Sequence, residues 1–389
     1  MTKNDKSKPA FDDQQLRAGA DSALEALKNA GPRAEALIDA WRDAPNAEAV
    51  VTASEHGEGP LRKAARRALN VLRARGVPIP EQKRVAALIS KSAPEIVEAW
   101  MMAPDSTGMQ LFAVASHAPS GRYRATFVFL HRGQGVARIE NSVMSQSQLK
   151  DYFGKLLPGS GYGATLVPPP WARWAIAEAR RVHRERNLPE PLGFTTAASL
   201  LEPVPASAPE HPFDEEGLEL ADEDALDVAK DSGKLHNVPE FRSWLPANPA
   251  MQELLVKVGS QLSSGETPEP GVVTELLRSE ADAATDRFFS PEAREELLGR
   301  MKDSALSVLA REGEQRALEI VAAMKAIAKC GLVTDPPREV PFLKAFFDKA
   351  IAMMIAEGGG RLRIPVPGKL PESAGAEAVP VAAEAASPA

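Results

Sequence analysis

One cysteine, Cys330, occurs among 389 residues. That excludes an intramolecular disulfide framework and any zinc or iron–sulfur site built on several cysteines. Apolar runs are short, well below the roughly 18 uninterrupted residues of a membrane-spanning helix. The opening stretch MTKNDKSKPA is polar and charged, with no apolar signal core behind it, so no membrane contact is expected and the cytoplasm is the expected compartment. Aromatic side chains are few, at 13 Phe, 5 Trp and 3 Tyr. The six histidines (His56, His117, His131, His183, His211 and His236) include no two that lie three or four residues apart, so a zinc-hydrolase helix is missing. No G-x-S-x-G nucleophile elbow is present, and Gly159-Ser-Gly-Tyr-Gly163 lacks the Gly-Lys-Ser/Thr ending of a phosphate loop,. No catalytic residue, metal ligand or cofactor is therefore assigned, and the chain leans away from an enzyme.

Charge is plentiful but uneven. The 46 basic and 53 acidic side chains leave a net of −7. Residues 1–100 carry 16 basic and 14 acidic groups, 101–200 carry 11 and 6, and 201–389 carry 19 and 33. A chain divided this way points to an anionic partner for its front half or to contact between its own halves.

Residues 1–15 read as a disordered start. From Leu16 to Trp100 the pattern is helical, broken at Gly31-Pro32, Ala44-Pro45, Gly57 to Pro60 and Gly76 to Pro80. Leu61, Ala65, Ala68, Leu69 and Leu72 recur at helical spacing. Val85, Leu88, Ile89, Ile96, Val97 and Trp100 are read as continuing that stripe. The segment GPLRKAARRALNVLRARGV resembles one helix of a HEAT-like α-repeat. The resemblance implies a domain of stacked helices over 16–102 and, by analogy, a docking scaffold.

The period then changes. Met109–Ser116, Arg122–Leu130 and Val136–Asn141 are rich in residues that suit a pleated surface, and Gly-containing turns at 117–121 and 131–135 separate them. A three-stranded antiparallel meander is expected. Ser145 with Gln148 offers a capping box for a helix through about Leu157, and Pro168-Pro-Pro170 opens a long helix from Trp171 to about Asn187. Together these make a small α+β module over 103–201.

Residues 202–236 read as an acidic linker, with eleven acids between 202 and 233 against Lys230 alone,. Helices are predicted at about 249–262, 271–288, 291–311, 314–329 and 342–356, giving a C-terminal helical domain over 237–358. The pair within about 290–330 resembles a tetratricopeptide-type hairpin, without that repeat's Trp, Gly, Tyr and Pro markers. The Pro/Ala/Glu-rich tail, 359–389, reads as disordered. The fold class is mainly α with a small central α+β module.

Six basic residues and no acid lie between Leu61 and Arg75. At 100° per residue, Arg62, Arg66 and Arg73 fall within about 40° of one another, opposite the leucine stripe. On the Trp171 helix, Arg173, Arg180 and Arg184 do the same. Each arginine supplies a planar donor fork for a carboxylate or a phosphate. With Arg67 they form the candidate anion- or partner-binding set. The acidic segment is a candidate internal occupant: 214–227 is expected to fold back over the Arg62/Arg66/Arg73 face. The function expected is that of a non-enzymatic adaptor or regulatory protein that binds another protein through helical scaffold surfaces. One alternative is RNA association through the arginine ridges of 61–75 and 171–186. The other is an enzyme with a site in the 109–180 module, among His117, Arg122, Arg124, Arg132 and Glu178.

Overall fold

The computed structural model describes residues 11–20, 22–57, 59–79, 97–117, 122–156, 158–262, 269–331 and 334–365, and the backbone of 377–380. The chain forms two compact units, one of residues through Ser92 together with Ser207–Glu219, the other of Ala93–Ala206 and Leu220–Ala389. Most of it is helical, with one small antiparallel sheet carrying an α+β module.

The first unit stacks α1 (Asp13–Leu16), α2 (Ala23–Ala30), α3 (Ala34–Asp43), α4 (Ala47–His56) and α5 (Pro60–Ala74). Leu37, Ile38, Trp41, Val50, Ala53, Ala65, Leu69 and Leu72 form its core. The predicted leucine stripe of α5 is thus the buried face. Part of the segment read as a disordered start is a capped turn. Asp12 accepts from the Gln15 amide at 2.7 Å while its own amide donates to Gln15 Oε1. Trp41 Nε1 donates to the Gln15 carbonyl at 2.8 Å, which ties that turn to the core. Residues 1–10 lie outside the described residues, as do Val85, Leu88, Ile89 and Ile96.

The second unit begins with β1 (Val97–Met102), so Val97 and Trp100 belong to a strand and not to a continuing helix. Pairing explains the change. β1 lies antiparallel to β2 (Met109–His117), from Val97 opposite Ser116 to Met102 opposite Leu111, and a buried cross-strand partner outweighs local propensity. The chain continues through β3 (Tyr123–His131), β4 (Gly135–Met144), α6 (Gln146–Leu156), β5 (Thr165–Val167), α7 (Pro169–Glu185) and α8 (Phe194–Leu201). The sheet order is β4-β3-β2-β1-β5. The expected meander is present, widened to five strands by β1 and by the three-residue β5. The turn at 118–121 lies outside the described residues.

Strand β2 is apolar nearly throughout because both faces are covered. Leu111, Ala113 and Ala115 pack with Leu149, Tyr152 and Phe153 of α6. Phe112, on the opposite face, meets Trp171 of α7 at a ring distance of 5.3 Å. The Ser145/Gln148 capping box forms as expected, with Ser145 N donating to Gln148 Oε1 at 2.8 Å and Gln148 N to Ser145 Oγ at 3.3 Å.

The stretch expected to be a linker folds. Its Ser207–Glu219 part, with α9 (Pro212–Glu215), belongs to the first unit. Beyond Leu220 it belongs to the second, where α10 (Asp222–Ala229) sets Ala225 and Ala229 against Ala322. A 3-10 turn (Ser232–Asn237) leads to α11 (Pro239–Arg242), α12 (Asn248–Gln261), α13 (Pro270–Phe288), α14 (Pro291–Glu312), α15 (Glu314–Lys329) and α16 (Pro341–Glu357). Phe241, Trp244, Phe342 and Phe346 make a contiguous ring cluster there. The central module and the C-terminal helices meet within this unit, where Trp244 Nε1 donates to the Pro104 carbonyl at 3.1 Å. The tail departs from its disordered reading at β6 (Arg361–Ile364), which pairs with β7 (Glu377–Pro380) and buries Leu362 and Ile364. Among the described residues no helix is long and apolar enough to cross a membrane.

Candidate partner-binding surface

Helix α5 begins at Pro60, behind Gly59 with φ at +52°, a left-handed conformation that glycine reaches without strain,. With Ala65, Ala68, Leu69 and Leu72 committed to the core, the helix presents its basic residues on the other side. That face is occupied by Ser207–Glu219 of the same unit. Lys63 pairs with Glu210, Arg66 with Glu216 at 2.9 Å, and Arg67 with Glu219 at 3.0 Å. Arg66 also donates to the Glu215 carbonyl. Gly217, at φ +63°, lies so close to α5 that a Cβ there would sit 3.4 Å from Arg66 Cβ and 3.7 Å from Lys63 Cα.

The docked segment reads Ser-Ala-Pro-Glu-His-Pro-Phe-Asp-Glu-Glu-Gly-Leu-Glu. Its backbone bonds are local: Asp214 and Glu215 donate to the His211 carbonyl, Glu216 to that of Phe213, and Gly217 to that of Asp214. His211 Nδ1 accepts from the Phe213 amide at 3.1 Å and so caps the turn. Phe213 and Leu218 are buried. Exposed ion pairs contribute about 0–1 kcal/mol each, whereas burying a Phe or Leu side chain contributes about 1.5–3 kcal/mol. Burial of these two side chains therefore contributes more than the charge pairs, and the three charge pairs set where the segment lies on α5. Burial pushes the Arg66 pKa down. Burial, reinforced by Glu210, raises that of Glu215. Beside the segment, Glu35, Gly59, Pro60, Lys63, Ala64, Arg67 and Glu210 line an open cleft of about 270 Å³.

No protein-family model matches this chain, and no curated protein or solved structure matches it either.

The remaining candidate residues lie elsewhere. Arg62 Nε donates to the Gly57 carbonyl at 2.8 Å, and Arg73 reaches Asn70 Oδ1 at 3.3 Å. Lys63, which the arginine spacing left out, belongs to the charged face instead. The α7 ridge sits in the second unit and serves it internally. Arg173 Nε donates to the Leu200 carbonyl at 2.8 Å, and Arg180 pairs with Glu190 at 2.7 Å while covering the Phe194 ring at 4.1 Å. These two arginines fasten α8 and the loop before it. Arg184 is exposed.

The residues considered for an enzyme do not converge. His117 stands edge-on to Tyr123, Arg122 donates to the Val143 carbonyl, Arg124 is exposed, and Glu178 pairs with Arg181. Arg132 instead reaches Asp303, a fully buried carboxylate that also accepts from Gln110 Nε2 at 3.2 Å. Asp303 belongs to a polar stripe on α14. Further along it, Ser307 Oγ donates to Glu240 at 2.8 Å, and Arg311 Nε to the same carboxylate at 3.2 Å. Both buried acids are thus matched by an arginine. Cys330 is buried, and burial raises its thiol pKa. Among the described residues no group of His, Cys, Asp and Glu is placed to hold a metal ion.

Proposed function

We propose that this chain is a non-enzymatic adaptor or regulatory protein and that the α5 face of its first unit is the surface a protein partner engages. One observation carries the reading. The Lys63/Arg66/Arg67 face already accommodates a short acidic peptide, in the form of the chain's own Ser207–Glu219. Helix-face recognition of this kind combines a few apolar anchors with complementary charge. The titratable groups of the second unit fit structural pairing better than chemistry, since the buried Asp303 and Glu240 are each paired with an arginine that reaches in from a more exposed position.

The test is affinity capture from native lysate with the full chain, wild type against Lys63→Glu/Arg67→Glu, each with and without nuclease. Proteins retained after nuclease and lost from the variant are the expected result. Capture that is abolished by nuclease would move the reading to RNA. Capture indifferent to the two substitutions would remove α5 as the partner surface.

A further inference from the structure

The segment on α5 differs from an ordinary surface loop in how it is attached. Within the described residues its backbone hydrogen bonds close on itself, and it meets the helix through side chains: three ion pairs, one arginine-to-carbonyl bond, and the close approach at Gly217. That is how a bound peptide sits on a scaffold. A β-strand or a helix shared with the scaffold would be woven into its backbone ladder. The buried Phe213 and Leu218 are five residues apart, with acids at 210, 214, 215, 216 and 219 around them. A phosphate polymer could match the charges, but the close seating of the Gly217 backbone against Lys63 and Arg66 is a peptide's, so the chemistry of the surface is that of a peptide.

We infer that α5 and its surroundings form a docking site for acidic peptide segments with carboxylates spaced as at Glu210, Glu216 and Glu219, and that Ser207–Glu219 is the intramolecular occupant such a partner must displace. The inference rests on the adaptor reading for the identity of the surface and adds the chemistry of the ligand. A tethered segment acts at an effective concentration of the order of millimolar. A free peptide of the same sequence therefore binds the intact chain about 10- to 100-fold more weakly than it binds a chain whose own segment has been loosened, for a segment of ten- to hundred-micromolar intrinsic affinity.

The probe is a fluorescein-labelled peptide of residues 207–219, titrated against three full-length chains: wild type, Phe213→Ala, and Glu216→Lys/Glu219→Lys. The second variant changes only partly exposed side chains and guards against a Phe213→Ala chain that fails to fold; circular dichroism of all three checks this. At least tenfold tighter binding to the loosened chains is expected. Affinity should fall at higher salt and fall again when Arg67→Glu is added. It should also be lost with a peptide in which Glu216 and Glu219 are replaced by Lys. Equal binding to all three chains would overturn the displacement. Binding of a scrambled peptide or of an RNA oligonucleotide as tight as the parent would overturn the peptide specificity. A lysate capture that yields no protein leaves this titration standing on its own, whereas a peptide that fails to bind leaves a captured protein in need of another surface. The two failures are therefore distinguishable.

Discussion

At the scale of single residues, the most consequential burial is that of His236, which is 4% exposed. Its ring lies 4.6 Å from that of Phe342 and edge-on to Phe346 at 4.8 Å. One ring nitrogen, Nε2, faces the Phe342 carbonyl at 2.9 Å, and Nδ1 faces Lys349 Nζ at 2.9 Å. An ammonium group only donates and a carbonyl only accepts, so Nδ1 accepts, Nε2 carries the proton, and the ring is neutral. Lys349 also donates to the Phe241 and Arg242 carbonyls, at 3.1 and 3.2 Å, and so caps the end of α11. Burial first and Lys349 second press the His236 pKa down to about 3. An unfolded histidine titrates near about 6.5, so between about 6.5 and 3 the unfolded chain holds the extra proton and stability falls as pH falls. The loss runs at about 1.4 kcal/mol per pH unit across that window. Urea unfolding at neutral and at acidic pH measures it. His236→Gln should flatten the dependence by that amount relative to wild type, and a variant with an unchanged slope would show that the ring titrates normally. None of this was legible from the sequence, where His236 was one of six scattered histidines. Its partners come from residues more than a hundred positions away.

At the scale of elements, α14 shows where the packing is most demanding. Its face toward the rest of its unit carries Asp303, Ser304 and Ser307, all buried, so apolar periodicity alone understates how much of the helix is enclosed. Gly299 leaves the space that Arg132 occupies, since a Cβ there would come within 2.6 Å of its guanidinium. Asp303 is fully buried while the Arg132 side chain is 42% exposed, so removing the arginine leaves an enclosed carboxylate with one partner fewer, a cost that removing both members avoids. Arg132→Met should therefore destabilise the second unit by about 1–3 kcal/mol, and Arg132→Met/Asp303→Leu by clearly less. Chemical denaturation of the two variants checks the order, and a double variant no better than the single would refute it. The same helix shows the reach of sequence reading. Its start at Ser290-Pro291 and its stop at Gly313 were visible as local chemistry, and Ser290 Oγ does accept from the Ala293 amide at 3.2 Å. Strands β1 and β5 were not visible. Val97–Met102 has too little alternation to oppose a helical reading, and three residues cannot establish a period. Both depend on partners distant in sequence. Charge was a better guide over long range. Of the expected fold-back of 214–227 over Arg62, Arg66 and Arg73, the structure has Arg66 with Glu216, while Glu219 meets Arg67, Glu210 meets Lys63, and Arg62 and Arg73 bond within their own helix region. The later acids diverge: Asp222 pairs instead with Lys325 at 3.0 Å and Lys329 at 2.9 Å.

At the scale of the whole molecule, the chain passes between its two units three times, after Ser92, after Ala206 and after Glu219. Each unit has its own apolar core, built on Leu37, Ile38, Trp41 and Leu69 in one and on residues such as Phe112, Phe127, Trp244 and Phe342 in the other. Separate cores of this kind unfold as separate cooperative steps, so a single two-state description does not suit the full chain. The docked segment is the informative place to perturb. It comes late in the sequence, between stretches of the second unit, yet its buried Phe213 belongs to the first. Phe213→Ala removes a buried aromatic side chain at a cost of about 3 kcal/mol or more, which for a unit of roughly 100 residues corresponds to a lowering of its Tm by about 10–20 °C. Hydrogen exchange followed along a thermal ramp reads both units in one sample, through peptides from α3 and α5 for the first and from α14 and α16 for the second. The substitution should bring forward exchange in the first pair and leave the second pair where it was. An equal shift in all four would mean that the chain unfolds as one cooperative body, and the segment would then be part of a shared core. A shift confined to the segment's own peptide, with α3 and α5 unmoved, would mean that the docked segment lends the first unit no stability.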